Sequence, residues 1–557
     1  MAIVSFNKKI FEREIGELDE KMQEKIAMFG TPLEEFNEEE IQIEVFPNRP
    51  DLLSYHGFKR SFLSFLGKKT GLKEYKINKP KKDYIVKIDS SLKDIRPFTA
   101  CAIIKNLELD NEKIKEIIDI QEKLHITVGR KRKKVAIGIY PLEKIKLPII
   151  YTAIEPDKIK FIPLDVTKEM SGLEILQKHP TGREYAHLLA GKAKFPIFID
   201  AENNILSMPP IINSQLTGKI TSETKDVFVE CSGFDFKILK RCLNVIVTCL
   251  SDMGGKIYQM NLDFGFRKKE ITPDLSPEKA KISLKNTTKL LGVNINEKEF
   301  KDLIEKMGYN YAKSTSTVLV PAWRVDILHE VDLIEDVAIA YGYNNFAPEI
   351  PEISTIGQEN PKEIIKRRIS DIITGLGILE VSNYHLTTKK DQFEKMRVSE
   401  KQEINFIELE ESKTDYTILR KDLTHYFLKI FSENIDSEYP QKIFEIGCIF
   451  NLNKDVNEKE NLAVAISPGN FTELKQILEY LFKMLEIKID FEEPENQDLP
   501  SYFVDGRVAS VNIEGKLIGY IGEIHPKTLK NWRIKMPVAI LEIELEKVFG
   551  KLINNQN

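Results

Sequence analysis

Asp326, Asp332, Glu335 and Asp336 fall within W-R-V-D-I-L-H-E-V-D-L-I-E-D-V-A-I-A-Y-G-Y, residues 323–343. The preceding T-V-L-V-P-A-W-R-V-D-I is rich in β-branched and aromatic residues, which predicts a strand. A helix is expected from about residue 329, because Ile334, Val337, Ala338 and Tyr341 recur at i, i+3, i+4 and i+7. Gly342 is placed to end it, since glycine enters the left-handed conformation without a Cβ penalty. On such a helix Asp332, Glu335 and Asp336 share the polar face. The strand would aim Asp326 at the same point. Something must offset the repulsion among four carboxylates. A hard cation such as Mg²⁺ takes oxygen ligands and keeps waters, so it suits a surface or an interface. A basic partner surface is a second answer. The third is plain solvation, with the charges favouring the positive end of the helix dipole. Acidic first turns are common, so spacing alone leaves all three open.

A second constellation is basic. Q-E-K-L-H-I-T-V-G-R-K-R-K-K-V-A-I-G-I-Y, residues 121–140, carries five consecutive cations from Arg130 to Lys134 before an apolar strand. Arg130, Lys131 and Arg132 could hold RNA phosphates, with an affinity that falls steeply with salt. A solvated turn accounts for them equally well. Further on, H-P-T-G-R-E-Y-A-H-L-L (179–189) precedes a segment that includes Ser207, Asn213 and Thr217. Such small donors and acceptors can line a polar pocket, though turns use them more often. F-P-N-R-P-D-L-L-S (46–54) reads as a rigid connector, because two prolines forbid regular structure between them. Arg49 and Asp51 can pair across it, and Asp51 or Ser54 can cap the helix that follows.

The whole chain sets limits on these sites. Its 557 residues predict three or four domains. The 81 Lys+Arg against 86 Asp+Glu give a net charge of −5, which excludes a generally basic nucleic-acid coat but not a local patch. The five cysteines include no C-x-x-C, so neither a zinc site nor a disulfide framework is indicated. No apolar signal core and no run of membrane-spanning length is found, and a cytoplasmic protein without a membrane partner is expected. Phosphate-loop, nucleophile-elbow and H-E-x-x-H motifs are all missing.

The expected fold class is α+β and multidomain. Residues 1–76 read as a small N-terminal domain and 77–268 as a strand-rich domain. Residues 269–346 read as a compact helical domain around the acidic stretch. After the proline-containing linker A-P-E-I-P-E-I-S, residues 347–557 read as an antiparallel sheet with helices against it.

From F-P-N-R-P-D-L-L-S onward the sequence resembles the β subunit of phenylalanyl-tRNA synthetase, of the archaeal and eukaryotic cytosolic type. Q-E-K-L-H-I-T-V-G-R-K-R-K-K-V-A-I-G-I-Y, H-P-T-G-R-E-Y-A-H-L-L, L-S-M-P-P-I-I-N and the 323–345 stretch resemble its signatures in the expected order. The resemblance implies an α₂β₂ enzyme that joins phenylalanine to tRNA(Phe) with ATP, its activating site lying in the α subunit. It implies that 347–557 has a class II synthetase-like fold without an active site. It implies a Mg²⁺ at Asp326, Asp332, Glu335 and Asp336. It also implies that the central domain hydrolyses Tyr-tRNA(Phe), with Ser207, Asn213, Glu230 and Ser232 in the editing pocket. Where the family usually reads F-I-D-V-T-G-T-D, this chain has F-V-E-C-S-G-F-D, residues 228–235. That departure predicts a longer acid, Glu230, and a bulky ring, Phe234, in the pocket.

Overall fold

The computed structural model describes residues 2–398, 405–410, 412–494 and 499–554. They form two compact units, Met1–Ile350 and Pro351–Asn557. The class is mixed α+β, with several sheets and helices. Among the described residues no helix is long and apolar enough to cross a membrane.

The first unit begins with a three-stranded antiparallel sheet, Ala2–Asn7 pairing Glu40–Val45, which pairs Leu33–Phe36. The Tyr55–Phe65 helix packs near it. Ser54, not Asp51, caps that helix, accepting the Gly57 amide at 3.1 Å. Arg49 instead grips Asp51 with two bonds of 2.9 Å. The F-P-N-R-P-D connector is thus a buried ion pair held in a proline-fixed turn.

An eleven-stranded sheet dominates the middle of the unit. Its main path runs from Ile212–Asn213 through Ile205–Met208, Phe195–Ile199, Ile149–Ile154 and Ile85–Ile88 to Lys256–Phe264. It continues through Phe98–Lys105 and Val227–Gly233 to Val135–Pro141. Burial on both faces explains why Val227–Gly233 shows no polar alternation: every residue of that strand is buried. The two ends of the path meet, because the Tyr140 hydroxyl lies 2.8 Å from Ser207 Oγ and 3.4 Å from Asn213 Oδ1. The Phe236–Asp252 helix packs on one side and Asn111–Ile126 lies near the closing edge.

Residues 278–341 are not purely helical as expected. Glu278–Lys281, Thr317–Val320 and Asn310–Ala312 form a three-stranded antiparallel sheet beside three helices. The predicted strand through 327 stops at Val320, because Pro321 follows and cannot donate to the ladder.

In the second unit seven strands form one sheet, antiparallel except for Leu379–Glu380. Strand Val456–Ser467 shows how it is layered. Leu462, Val464 and Ile466 pack with residues of helices Pro361–Gly375, Phe471–Met484 and Glu546–Asn554. Ala463 and Ala465 pack with Phe427, Leu428 and Phe431 of Thr424–Glu433 on the other face. A period of two thus gives each face of one strand its own helical layer.

Candidate functional site

The acidic stretch folds as a helix, Glu330–Tyr341, but its carboxylates diverge. His329 is the N-cap, with Nδ1 accepting the Val331 amide at 3.2 Å. Asp332 reaches back, its Oδ2 accepting the amides of Leu328 and His329 at 2.7 Å each. This is a capping box, and it occupies Asp332 locally. Gly342 closes the helix at φ +95°, in the left-handed half of the map. Glu335 is exposed. Asp326 and Asp336 both face the buried Arg324. Nε and Nη2 of Arg324 donate to the two Asp326 oxygens at 2.8 and 2.7 Å, and Nη2 also donates to Asp336 at 2.8 Å. The Tyr309 hydroxyl donates to the same Asp336 oxygen. Burial alone would raise the Asp326 pKa, but the Arg324 charge and hydrogen bonds hold it below the usual carboxylate value.

The four carboxylates of the sequence therefore do not converge. Among the described residues no group of three or more His, Cys, Asp or Glu could hold a metal ion. The residues as arranged do not fit Mg²⁺ within this chain. The cation that offsets Asp326 and Asp336 is Arg324, two residues before Asp326, a neighbour the sequence reading passed over.

The sheet closure holds a cavity of about 140 Å³. Glu230 of the Val227–Gly233 strand lies in its wall, opposite Gly138 in the ladder. A Cβ at position 138 would stand 2.1 Å from the Tyr140 hydroxyl, so glycine there lets the ring fold back over its own strand. That brings the Tyr140 hydroxyl to Ser207, Asn213 and Glu230 Oε1, the last at 3.3 Å. Stacking on Phe228, with ring centroids 5.8 Å apart, holds the ring. Glu230 is 2 % exposed, and its Oε2 has no hydrogen-bond partner in the chain. Burial pushes its pKa up to about 8, against the opposing pull of Arg96 and hydrogen bonds from Tyr140 and Ser232.

Three of the four expected pocket residues, Ser207, Asn213 and Glu230, line this cavity. Ser232 does not. It lies two residues along the same strand, where its hydroxyl accepts Arg96 Nε–H at 3.2 Å. Phe234 is also outside the lining: it is 54 % exposed, with the Arg96 guanidinium 5.5 Å from its ring centre. The bulky ring expected in the pocket is therefore not there.

The basic run divides. Arg130, Lys131, Lys133 and Lys134 are exposed. Arg132 turns inward to line the cavity, donating to Glu122 Oε1 at 3.0 Å and to the Ile211 carbonyl at 2.8 Å. Arg130, Lys131 and Arg132 all have positive φ, so a left-handed loop reverses the chain here and separates one cation from the rest. Tyr140, Glu122, His125 and His179 also belong to the site and were missed as site residues. For Tyr140 the G-x-Y spacing was the available signal.

Residues 280–343 match the tRNA synthetase B5 domain, and residues 347–545 match the phenylalanyl tRNA synthetase beta chain CLM domain. A phenylalanine–tRNA ligase beta subunit of Pyrococcus furiosus is 41 % identical over 514 residues, 90 % of each chain. The Methanosarcina barkeri subunit of the same name is 36 % identical over 99 % of this chain and 100 % of its own. The chain belongs to the phenylalanine–tRNA ligase β-subunit family. An N-terminal fragment of the Pyrococcus horikoshii family member superposes with a TM-score of 0.58 at 39 % identity. That match covers 61 % of this chain and 99 % of the fragment. As a family member the chain is part of an aminoacyl-tRNA ligase of protein biosynthesis.

Proposed function

We propose that this chain is the non-activating β subunit of a cytoplasmic α₂β₂ phenylalanine–tRNA ligase. In this reading the α subunit binds ATP and carries the aminoacylation site, and tRNA(Phe) is the shared substrate. Residues 1–76 form the N-terminal domain, 77–268 the editing domain, 269–346 the domain around the acidic helix, and 347–557 a class II-like domain without catalysis. The assembled enzyme uses Mg²⁺. Asp326, Asp332, Glu335 and Asp336 are this chain's candidates for it, and a site there needs oxygens from outside the chain, since their own arrangement does not fit a metal. Arg130 and Lys131 are proposed to meet RNA phosphates.

The central cavity is proposed to edit Tyr-tRNA(Phe). The observation that carries this is the pairing of volume with polarity. About 140 Å³ is close to the roughly 150 Å³ that admits one benzene ring. Buried Glu230, beside Tyr140, Ser207 and Asn213, offers a partner for one phenolic hydroxyl. A phenylalanine ring would leave Glu230 Oε2 unpartnered, and sites of that kind reject the analogue that lacks the hydroxyl by large factors. The test is release of tyrosine from Tyr-tRNA(Phe) by the two-subunit enzyme. Glu230→Ala should slow it about 100-fold or more while leaving phenylalanine charging intact. If wild-type enzyme leaves Tyr-tRNA(Phe) untouched, the domain does not edit.

A further inference from the structure

The two edges of the N-terminal sheet differ. The Leu33–Phe36 edge has a register break between Leu33 and Glu35 and carries Glu34 and Glu35. Bulges and charges of this kind keep an edge from recruiting a further strand. The Ala2–Asn7 edge, A-I-V-S-F-N, has no charge and no proline, and its register against Glu40–Val45 is unbroken. Among the described residues no other strand pairs with it. The direction of its free groups follows from the ladder. The Lys8 amide donates to the Glu39 carbonyl at 2.8 Å, one step beyond the Asn7–Glu40 pair. Hydrogen-bonded pairs alternate along an antiparallel ladder, so Phe6, Val4 and Ala2 bond inward and the backbone groups of Ile3 and Ser5 point outward.

Val4, Ser5, Phe6 and Asn7 also line a cleft of about 280 Å³, shared with the Asn111–Ile126 helix. Its lining holds seven carboxylates against four lysines and arginines. Glu39 and Glu40 stand on the sheet side, and Glu112, Glu116 and Asp119 on the helix side. Two of the cations are already engaged, Arg13 with Glu14 at 3.2 Å and Lys113 with the Glu108 carbonyl at 2.7 Å. An unprotected strand edge beside net acidic walls is complementary to an extended chain that carries cations.

We propose that this cleft takes an extended basic segment of a partner polypeptide, which adds to the sheet as a fourth strand beside Ala2–Asn7. Its backbone bonds the outward amides and carbonyls of Ile3 and Ser5. Side chains on a strand alternate between faces, so its lysines or arginines, at every second position, meet the carboxylates of the cleft.

The test measures binding of a fluorescent octapeptide of alternating lysine and valine to the full β chain. The peptide should bind, and more weakly as salt is added. A peptide with glutamate in place of lysine should not bind, nor should one N-methylated at alternate amides. Ser5→Pro removes an outward donor and leaves the inner ladder intact, and should weaken binding about tenfold or more. Glu112→Lys combined with Asp119→Lys, which leaves the strand untouched, should also weaken it and flatten its salt dependence. Phenylalanine charging by the two-subunit enzyme should be unchanged in both variants. No binding of the lysine peptide would overturn the proposal. Equal binding of the N-methylated peptide would overturn it too, since charge alone would then explain the contact. A β-chain dimer that Ser5→Pro dissolves would assign the edge to a second copy of this chain and overturn the basic partner.

Discussion

Glu230 is a carboxyl group whose ordinary pKa would leave it ionised at neutral pH, yet burial holds its pKa near 8. The consequence for stability has a definite sign. A folded-state pKa above the unfolded value of 4.5 means that the group's contribution is complete below about pH 4.5 and is lost as pH rises through 8. The loss is on the order of 5 kcal/mol across that window. Glu230→Gln should flatten the alkaline side of the melting curve against pH and raise the melting temperature at pH 9. Thermal melts of both proteins from pH 4 to 9 measure this, and parallel curves would refute it. The sequence identified Glu230 only through its resemblance to a family position. Its depth comes from a strand paired on both sides, with Phe98–Lys105 and Val135–Pro141 as neighbours. Those partners lie about 90 or more positions away in sequence, and no local pattern announces them. Phe234 misled for a related reason. It follows Gly233, where the strand ends, and so it leaves the wall that its position in the motif suggested.

At the scale of single elements, the acidic helix was legible and its chemistry was not. The 3.6-residue period, the start at His329 and the stop at Gly342 were all local signals. Which cation meets the carboxylates was a tertiary question. The structure answers with R-x-D used twice: Arg49 grips Asp51 and Arg324 grips Asp326, and the two pairs influence each other, since the Arg324 charge lowers and the Asp326 charge raises the Arg49 pKa. Removing one partner of a buried ion pair strands the other. Arg324→Met should therefore cost about 3–5 kcal/mol, read by denaturant unfolding of the β chain. Asp332→Ala removes the capping box and should cost about 1 kcal/mol. EDTA should leave the melting temperature of the β chain alone unchanged, because Arg324 rather than a metal balances the charge. A drop of several degrees on chelation would show that the chain holds its own ion.

At the scale of the whole molecule, the two units part between Ile350 and Pro351, inside a stretch with two prolines. Residues 347–360 are exposed and lie outside any helix or strand. Limited proteolysis should cut first in this stretch and leave two resistant fragments near residues 1–350 and 355–557. Early cleavage inside either unit would contradict the division. The closing of the eleven-stranded sheet was not legible, because it depends on Tyr140 meeting Ser207 across 67 residues of chain. The function proposed here depends on that closure. The most direct measurement is the rate at which the purified two-subunit enzyme hydrolyses Tyr-tRNA(Phe) beside Phe-tRNA(Phe), for wild type and Glu230→Ala. Rapid loss of the tyrosyl ester alone, lost again in Glu230→Ala, is the predicted result. Equal and slow loss of both esters from both enzymes would contradict the account.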